Sequence, residues 1–80
     1  MFTKLLNGLY DIRRQMKDMD LSDILRISYD IGYLEHRILI NSLVNKISDN
    51  ENTVLLMHLC AIKTDMENAL ETLLDKEKEN

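Results

Sequence analysis

Apolar side chains recur along the chain at the spacing of amphipathic α-helices. A first seam has 3-4-3-4-3 spacing and consists of Phe2, Leu5, Leu9, Ile12, Met16 and Met19. A last seam has 4-3-4-3-4 spacing and consists of Leu55, Leu59, Ile62, Met66, Ala69 and Leu73. Residues at these intervals share one side of a helix with 3.6 residues per turn. With a third periodic segment between them, the pattern predicts an all-α fold of three helices over about 2–18, 21–47 and 52–76.

Polar residues mark the ends of these segments. Asp20 is suited to cap the second helix, with Met19 and Ile24 at the positions of a hydrophobic staple. The sequence SDNENT at 48–53 is a run of turn formers, in which Ser48 and Glu51 have the spacing of a capping box. Asn52 and Thr53 are alternative caps for the third helix. We therefore predict one helical domain over residues 1–80, with a frayed tail at 77–80.

The middle helix carries two apolar stripes that lie almost opposite each other at 100° per residue. The long stripe consists of Leu25, Tyr29, Tyr33, His36, Ile40, Leu43 and Ile47. The short stripe consists of Ile24, Ile27, Ile31, Leu34 and Ile38. A helix that is apolar on two sides is expected to lie between two neighbours.

The lengths of the stripes suggest which neighbour each one meets. The long stripe matches the seam of the third helix, which predicts a long antiparallel hairpin of helices 2 and 3, turning within 48–53. In that hairpin we expect three side chains of helix 2, Tyr33, Ile40 and Leu43, to face three of helix 3, Leu59, Ile62 and Met66. The short stripe matches the first helix, which a short connection makes an antiparallel neighbour of helix 2. Helices 1 and 3 are then expected on opposite sides of helix 2.

Gly32 interrupts the middle helix and has three interpretations. With Ser28 it forms a small-xxx-small pair that allows close approach of another helix. It is otherwise a tolerated helical glycine, costing about 1 kcal/mol relative to alanine, or it breaks helix 2.

The short chain leads us to expect a homodimer or a larger assembly. A domain of 80 residues buries a thin core, and its single cysteine, Cys60, rules out an internal disulfide as reinforcement. A flat layer of helices also leaves apolar surface uncovered. We expect a partner surface at the start of helix 3 with a second part on helix 1, consisting of Val54, Met57, Cys60, Ala61, Leu6 and Tyr10.

Charge gives a weaker, alternative prediction. The net charge is −4, and residues 49–80 hold eight acidic and three basic side chains, which argues against nucleic acid as the main partner. A small basic ridge on helix 1 nevertheless provides an alternative surface for nucleic acid, consisting of Lys4, Arg13, Arg14 and Lys17.

Catalytic and metal-binding patterns are not found. In the hairpin, His36 comes level with Asp65, which suggests either an acid–base dyad or a buried histidine satisfied by a carboxylate. His58 and Cys60 point about 160° apart on a helix and are not a ligand pair. We expect no enzymatic activity, no cofactor and no metal. The sequence has neither a signal-peptide pattern nor an apolar run that spans a bilayer, so we expect a cytoplasmic protein, of a bacterium or of a host cell if phage-encoded.

These features together favour a small, non-catalytic protein–protein interaction module. In size and helical class the chain is similar to secretion chaperones, bacteriocin immunity proteins and phage-encoded inhibitors. The expected role is that of a regulator, inhibitor or chaperone-like adaptor, with a phage or a plasmid as one source of the gene. Nucleic-acid binding through helix 1 is the alternative.

Overall fold

Three α-helices make up the protein in the computed structural model, which describes residues 1–79 and the side chains of residues 1–76. Helix α1 spans Phe2–Gln15, α2 spans Leu21–Leu43 and α3 spans Asp49–Glu79. The all-α, three-helix prediction is confirmed. The predicted ends are wrong by several residues: α1 and α2 end earlier than expected, whereas α3 begins earlier and continues through 77–79, which we expected to fray. The last residue of that predicted tail, residue 80, lies outside the described residues.

Asp20 caps α2 as the sequence predicts. Its carboxylate accepts a hydrogen bond from the backbone N–H of Asp23, and the Asp23 carboxylate accepts one from the N–H of Asp20. The hydroxyl of Ser22 also donates to Asp20 at 2.6 Å, and this bond is the main reason that the pKa of Asp20 lies below its usual value. The cap therefore stabilises the fold at neutral pH and loses that contribution as pH falls through the lowered pKa.

A left-handed residue ends α2 four positions before the predicted end. Asn45 has a φ of 60°, a conformation that asparagine tolerates better than most residues. The N–H of Lys46 donates to the carbonyl of Asn41 at 2.9 Å, and that of Asn45 donates to Ser42 at 3.2 Å. These two bonds form a Schellman motif, which satisfies the last carbonyls of the helix. Ile47 consequently leaves the helix, and it is buried in the core from the following loop.

A capping box begins α3 at Ser48. The N–H of Ser48 donates to Glu51 at 2.8 Å, and the N–H of Glu51 donates to the Ser48 hydroxyl at 3.1 Å. Both partners were suggested by the sequence, although we predicted that the helix begins only at 52. The box fixes the first turn of α3 directly after the loop.

Removing the Ser48 hydroxyl should therefore lower stability measurably. Ser48→Ala leaves one N–H at the start of α3 without its partner, which we expect to cost about 1 kcal/mol and about 4–8 °C in melting temperature. Thermal unfolding followed by circular dichroism measures the change. Thr64→Ala, at an exposed position of the same helix, is the matched control and should not lower the melting temperature. Equal melting of wild type and Ser48→Ala would contradict a stabilising cap.

The helices form a bundle in which each contacts the other two. Along α2 and α3 the contacts run in opposite order: Lys63 donates to Glu35 at 2.5 Å, and Ser42 lies beside Leu56. Along α1 and α3 they run in the same order, with the rings of Tyr10 and His58 at 5.5 Å and, further along both helices, Arg13 and Asp65 at 3.7 Å. The contact of α1 with α3 shows that the expected flat layer, with these helices on opposite sides of α2, is wrong.

Within α2 the core uses the short stripe and not the long one; of the long stripe only Ile47 is buried, and it lies beyond the end of α2. The buried apolar members of the core come from all three helices and the second loop, and they are Leu5, Leu9, Ile12, Ile27, Ile31, Ile38, Ile47, Leu55, Leu59, Ile62 and Met66. Tyr33, Ile40 and Leu43 are exposed. Our prediction that these three face Leu59, Ile62 and Met66 is therefore wrong. The short stripe contacts α1 and α3 together.

The composition of the two stripes explains this choice. The short stripe has four isoleucines and a leucine, whereas the long stripe includes two tyrosines and a histidine, whose polar atoms need partners when buried. In the core, α2 contributes one buried polar residue, Asn41, whose amide donates to the carbonyl of Arg37 at 2.7 Å. Among the described side chains, no buried nitrogen or oxygen lacks a hydrogen-bond partner.

The two glycines have different surroundings. A Cβ on Gly8 would lie 3.1 Å from the Leu34 side chain, so α1 and α2 approach closely there. A Cβ on Gly32 would meet nothing within 4 Å, and α2 is continuous through this residue. Gly32 therefore neither breaks the helix nor serves close packing within the chain.

Candidate protein-binding surfaces

The side of α2 that points away from the core is apolar along its whole length. We call this side the outer face of α2; it consists of Leu25, Tyr29, Tyr33, His36, Ile40 and Leu43, all exposed. Leu25 is 83% exposed, Tyr29 75% and Leu43 71%. We had placed these residues in the core. Their tyrosines and histidine are the sequence signal that they lie at a surface, because such side chains combine an apolar body with a polar tip.

A second apolar surface lies where α1 and α3 meet. We call it the α1–α3 patch; it consists of Tyr10, Val54, Met57, His58 and Ala61. Met57 is 68% exposed, and the last four residues line an open depression of about 270 Å³. The edge of the Tyr10 ring packs against His58, with the two ring planes at 85°. Because we expected helices 1 and 3 on opposite sides of helix 2, this contact of α1 with the start of α3 was not predicted.

A second depression lies further along α1 and α3, and we call the two depressions together the α1–α3 groove. The second depression has a volume of about 340 Å³ and is lined by Arg13, Met16, Lys17, Asp65 and Ala69. Ala61 and Ala69, one from each depression, are eight residues apart, or about 12 Å along α3. The second depression therefore combines the apolar side chains of Met16 and Ala69 with Arg13 and Lys17 on its α1 wall and Asp65, the ion-pair partner of Arg13, on its α3 wall.

Two of the residues that we predicted for a partner surface lie outside the patch. Leu6 is half-buried and packs against the core. Cys60 is exposed but does not line the depression, because on a helix it points about 100° away from Ala61. The structure thus brings together Tyr10, Val54, Met57 and Ala61 from that prediction.

The basic ridge of α1 is partly neutralised by carboxylates. Arg13 pairs with Asp65 at 3.7 Å, and Arg14 pairs with Asp11. Lys4 and Lys17 are exposed, and no ion pair is found for them among the described side chains. The pairing of both arginines lowers the positive charge that this helix offers to a phosphate backbone.

The pairing of His36 with Asp65, which the hairpin suggested and the sequence left open, is not formed. Asp65 points toward α1, where it meets Arg13, and His36 is exposed on the outer face of α2. Over the part of the chain that the structure describes, no three histidine, cysteine, aspartate or glutamate residues are grouped closely enough to hold a metal ion. The geometry therefore offers apolar surfaces for binding, and it does not assemble the dyad.

None of the described helices combines the length and the apolar character that crossing a membrane requires.

Comparisons with known proteins found no relative of this chain: no family model, no curated protein and no solved structure matches it.

Proposed function

We propose that this protein is a non-catalytic protein–protein interaction module, a regulator, inhibitor or chaperone-like adaptor, that acts through apolar helical surfaces. One observation carries the proposal: a bundle with a satisfied core exposes apolar side chains on two separate sides, the outer face of α2 and the α1–α3 patch. Contiguous apolar surface on a folded chain usually marks an interaction site. Two such surfaces allow one to bind a second copy while the other binds a different protein.

The α1–α3 groove is suited to an amphipathic helix of a partner protein. Its two depressions are about 12 Å apart, which corresponds to two turns of a helix laid along the groove. Met57 supplies a flexible thioether, which adapts to the shape of a bound side chain. Lys17, for which no ion pair is found among the described side chains, lines the second depression and favours a helix with an acidic residue at the matching position. The proposed partner is therefore a protein that presents an apolar helix with an acidic flank.

Changing Met57 to lysine should abolish binding of this partner without unfolding the protein. The side chain is largely exposed, so the charge is tolerated in the free chain but would be buried without a partner in the complex. The measurement is recovery of a partner from extracts of cells that naturally produce the protein, washed at high salt, with wild type and variant as baits. We expect one protein to be retained by the wild type and lost with Met57→Lys.

Thr72→Lys is the matched control, because it adds the same charge to an exposed position of α3, about four turns from Met57. This variant should retain the partner as the wild type does. Equal retention by Met57→Lys would show that the patch is not the binding surface. Failure of the wild type to retain any protein would contradict the proposed function.

Nucleic-acid binding through α1 is the alternative function, and the arginine pairs of the ridge make it the weaker one. A labelled duplex that shifts with the protein, and shifts less as salt rises, would favour it. Replacing Lys4 and Lys17 with glutamate should then remove the shift.

A further inference from the structure

The outer face of α2 has the features of a surface that pairs with a second copy of the same chain. Resting on the proposal that the protein works through apolar helical surfaces, we infer that two copies associate through this face, with their α2 helices antiparallel about a two-fold axis. The axis passes between Tyr33 and His36, and Leu25 of each copy lies opposite Leu43 of the other.

The extent of the outer face supports an interface of full size. Its five large apolar side chains, Leu25, Tyr29, Tyr33, Ile40 and Leu43, offer on the order of 700 Å² of surface, and a standard interface buries about 800 Å² per partner.

The ends of the apolar face set the register of an antiparallel pair. Leu25 and Leu43 are the outermost and among the most exposed of its residues. When Leu25 of one copy lies opposite Leu43 of the second, Tyr29 of the first copy comes level with Leu39 and Ile40 of the second. His36 then comes level with Gly32. Gly32 has open space where a Cβ would be, so the second helix is free to approach closely at the centre.

Charge independently supports the same orientation and register. Asp30 and Arg37 lie two turns apart on one flank of the face, and among the described side chains neither makes an ion pair. The Arg37 guanidinium lies 6.0 Å from the centre of the Tyr33 ring, which places it beside the apolar face. In a two-fold antiparallel pair, each flank meets the same flank of the other helix. Asp30 of one copy then comes within one residue of Arg37 of the other, twice per dimer.

A parallel pair does not give this match. In parallel helices the flank that carries Asp30 and Arg37 meets the opposite flank of the second copy. That flank carries Ser28, Gly32 and Leu39, none of which is charged. The charges therefore favour the antiparallel arrangement.

Light scattering on a sizing column, from low micromolar to several hundred micromolar protein, tests the inference. We expect the wild type to shift from monomer to dimer. Leu25→Lys should weaken self-association at least about 30-fold, with unchanged helical content because Leu25 is 83% exposed. Thr64→Lys, an exposed position on α3, is the control and should dimerise like the wild type.

Charge exchange tests the register. Arg37→Asp places two acidic pairs in the interface, and Asp30→Arg places two basic pairs there, so each should weaken the dimer about tenfold or more. The double variant Asp30→Arg/Arg37→Asp restores both pairs in the antiparallel register and should recover wild-type association. If Leu25→Lys dimerises like the wild type, the outer face of α2 is not the interface. If the double variant does not recover wild-type association, the proposed register is wrong.

A monomer at every concentration would overturn the inference as a whole. It would leave the proposed function standing, because recovery of a partner through Met57 is measured separately and does not involve the outer face of α2. If the wild type dimerises but retains no partner, the proposed function is contradicted and the dimer stands.

Discussion

Replacing Ile38 with aspartate should abolish the cooperative unfolding transition of this protein. Ile38 is fully buried between α2 and its two neighbours. An unpaired carboxylate at this position costs several kcal/mol, and the whole stability of a domain of this length is about 4–12 kcal/mol. Far-UV circular dichroism during heating measures the effect, and we expect a weak helical signal with no sharp transition.

Ile40→Asp is the matched control for this variant, since it makes the same chemical change two positions later on the same helix. Ile40 is 42% exposed on the outer face of α2, so the new carboxylate can keep its water. In dilute solution we expect a native helical signal and a loss of no more than about 1 kcal/mol. The reverse result, with Ile40→Asp unfolded and Ile38→Asp native, would mean that the long stripe forms the core.

Truncating Leu9 should give the second large effect, because this residue joins α1 to the rest of the bundle. Leu9 is fully buried in the core to which all three helices contribute, and α1 contacts both α2 and α3. Leu9→Ala removes buried methyl groups and leaves a cavity, which typically costs about 2–5 kcal/mol. Urea unfolding should show this loss, and the melting temperature should fall by at least about 10 °C.

Asn7→Ala on the exposed side of α1 is the control, and its stability should stay within about 0.5 kcal/mol of wild type. The size of the Leu9 effect distinguishes two arrangements. A helix that packs on α2 alone would leave Leu9 half-covered and make its truncation mild. A loss below about 1 kcal/mol would therefore contradict the three-helix bundle.

The sequence by itself determined the local features of this protein. The 3-4 spacing of Leu5, Leu9 and Ile12 identifies the buried side of α1, and that of Leu55, Leu59 and Ile62 identifies the buried side of α3. Asp20 caps α2 as predicted. These features depend on neighbours within one or two turns, so the order of residues is sufficient to specify them.

The end of α2 depends on a local signal and on tertiary packing together, and we did not predict it. Asn45 adopts the left-handed conformation that closes the Schellman motif. Several residues of the polar loop after α2 are equally capable of ending a helix, and the spacing of Ile47 with Leu43 favoured continuation. The choice among them depends on which apolar residue the loop must bury, and here the buried residue is Ile47.

The tertiary structure alone decided which of the two apolar stripes of α2 is buried. Both stripes have helical spacing, and matching each stripe to a neighbour by length led us to expect that both are buried, which is wrong for the long one. In a bundle, α1 and α3 contact each other, so a single stripe of α2 is enough to meet both. Burying the stripe of isoleucines removes no polar atom from water, whereas Tyr29, Tyr33 and His36 keep their polar atoms hydrated on the other side of the helix. Burial is a property of three helices packed together, and for that reason the surface proposed for binding was not evident from the periodicity of one.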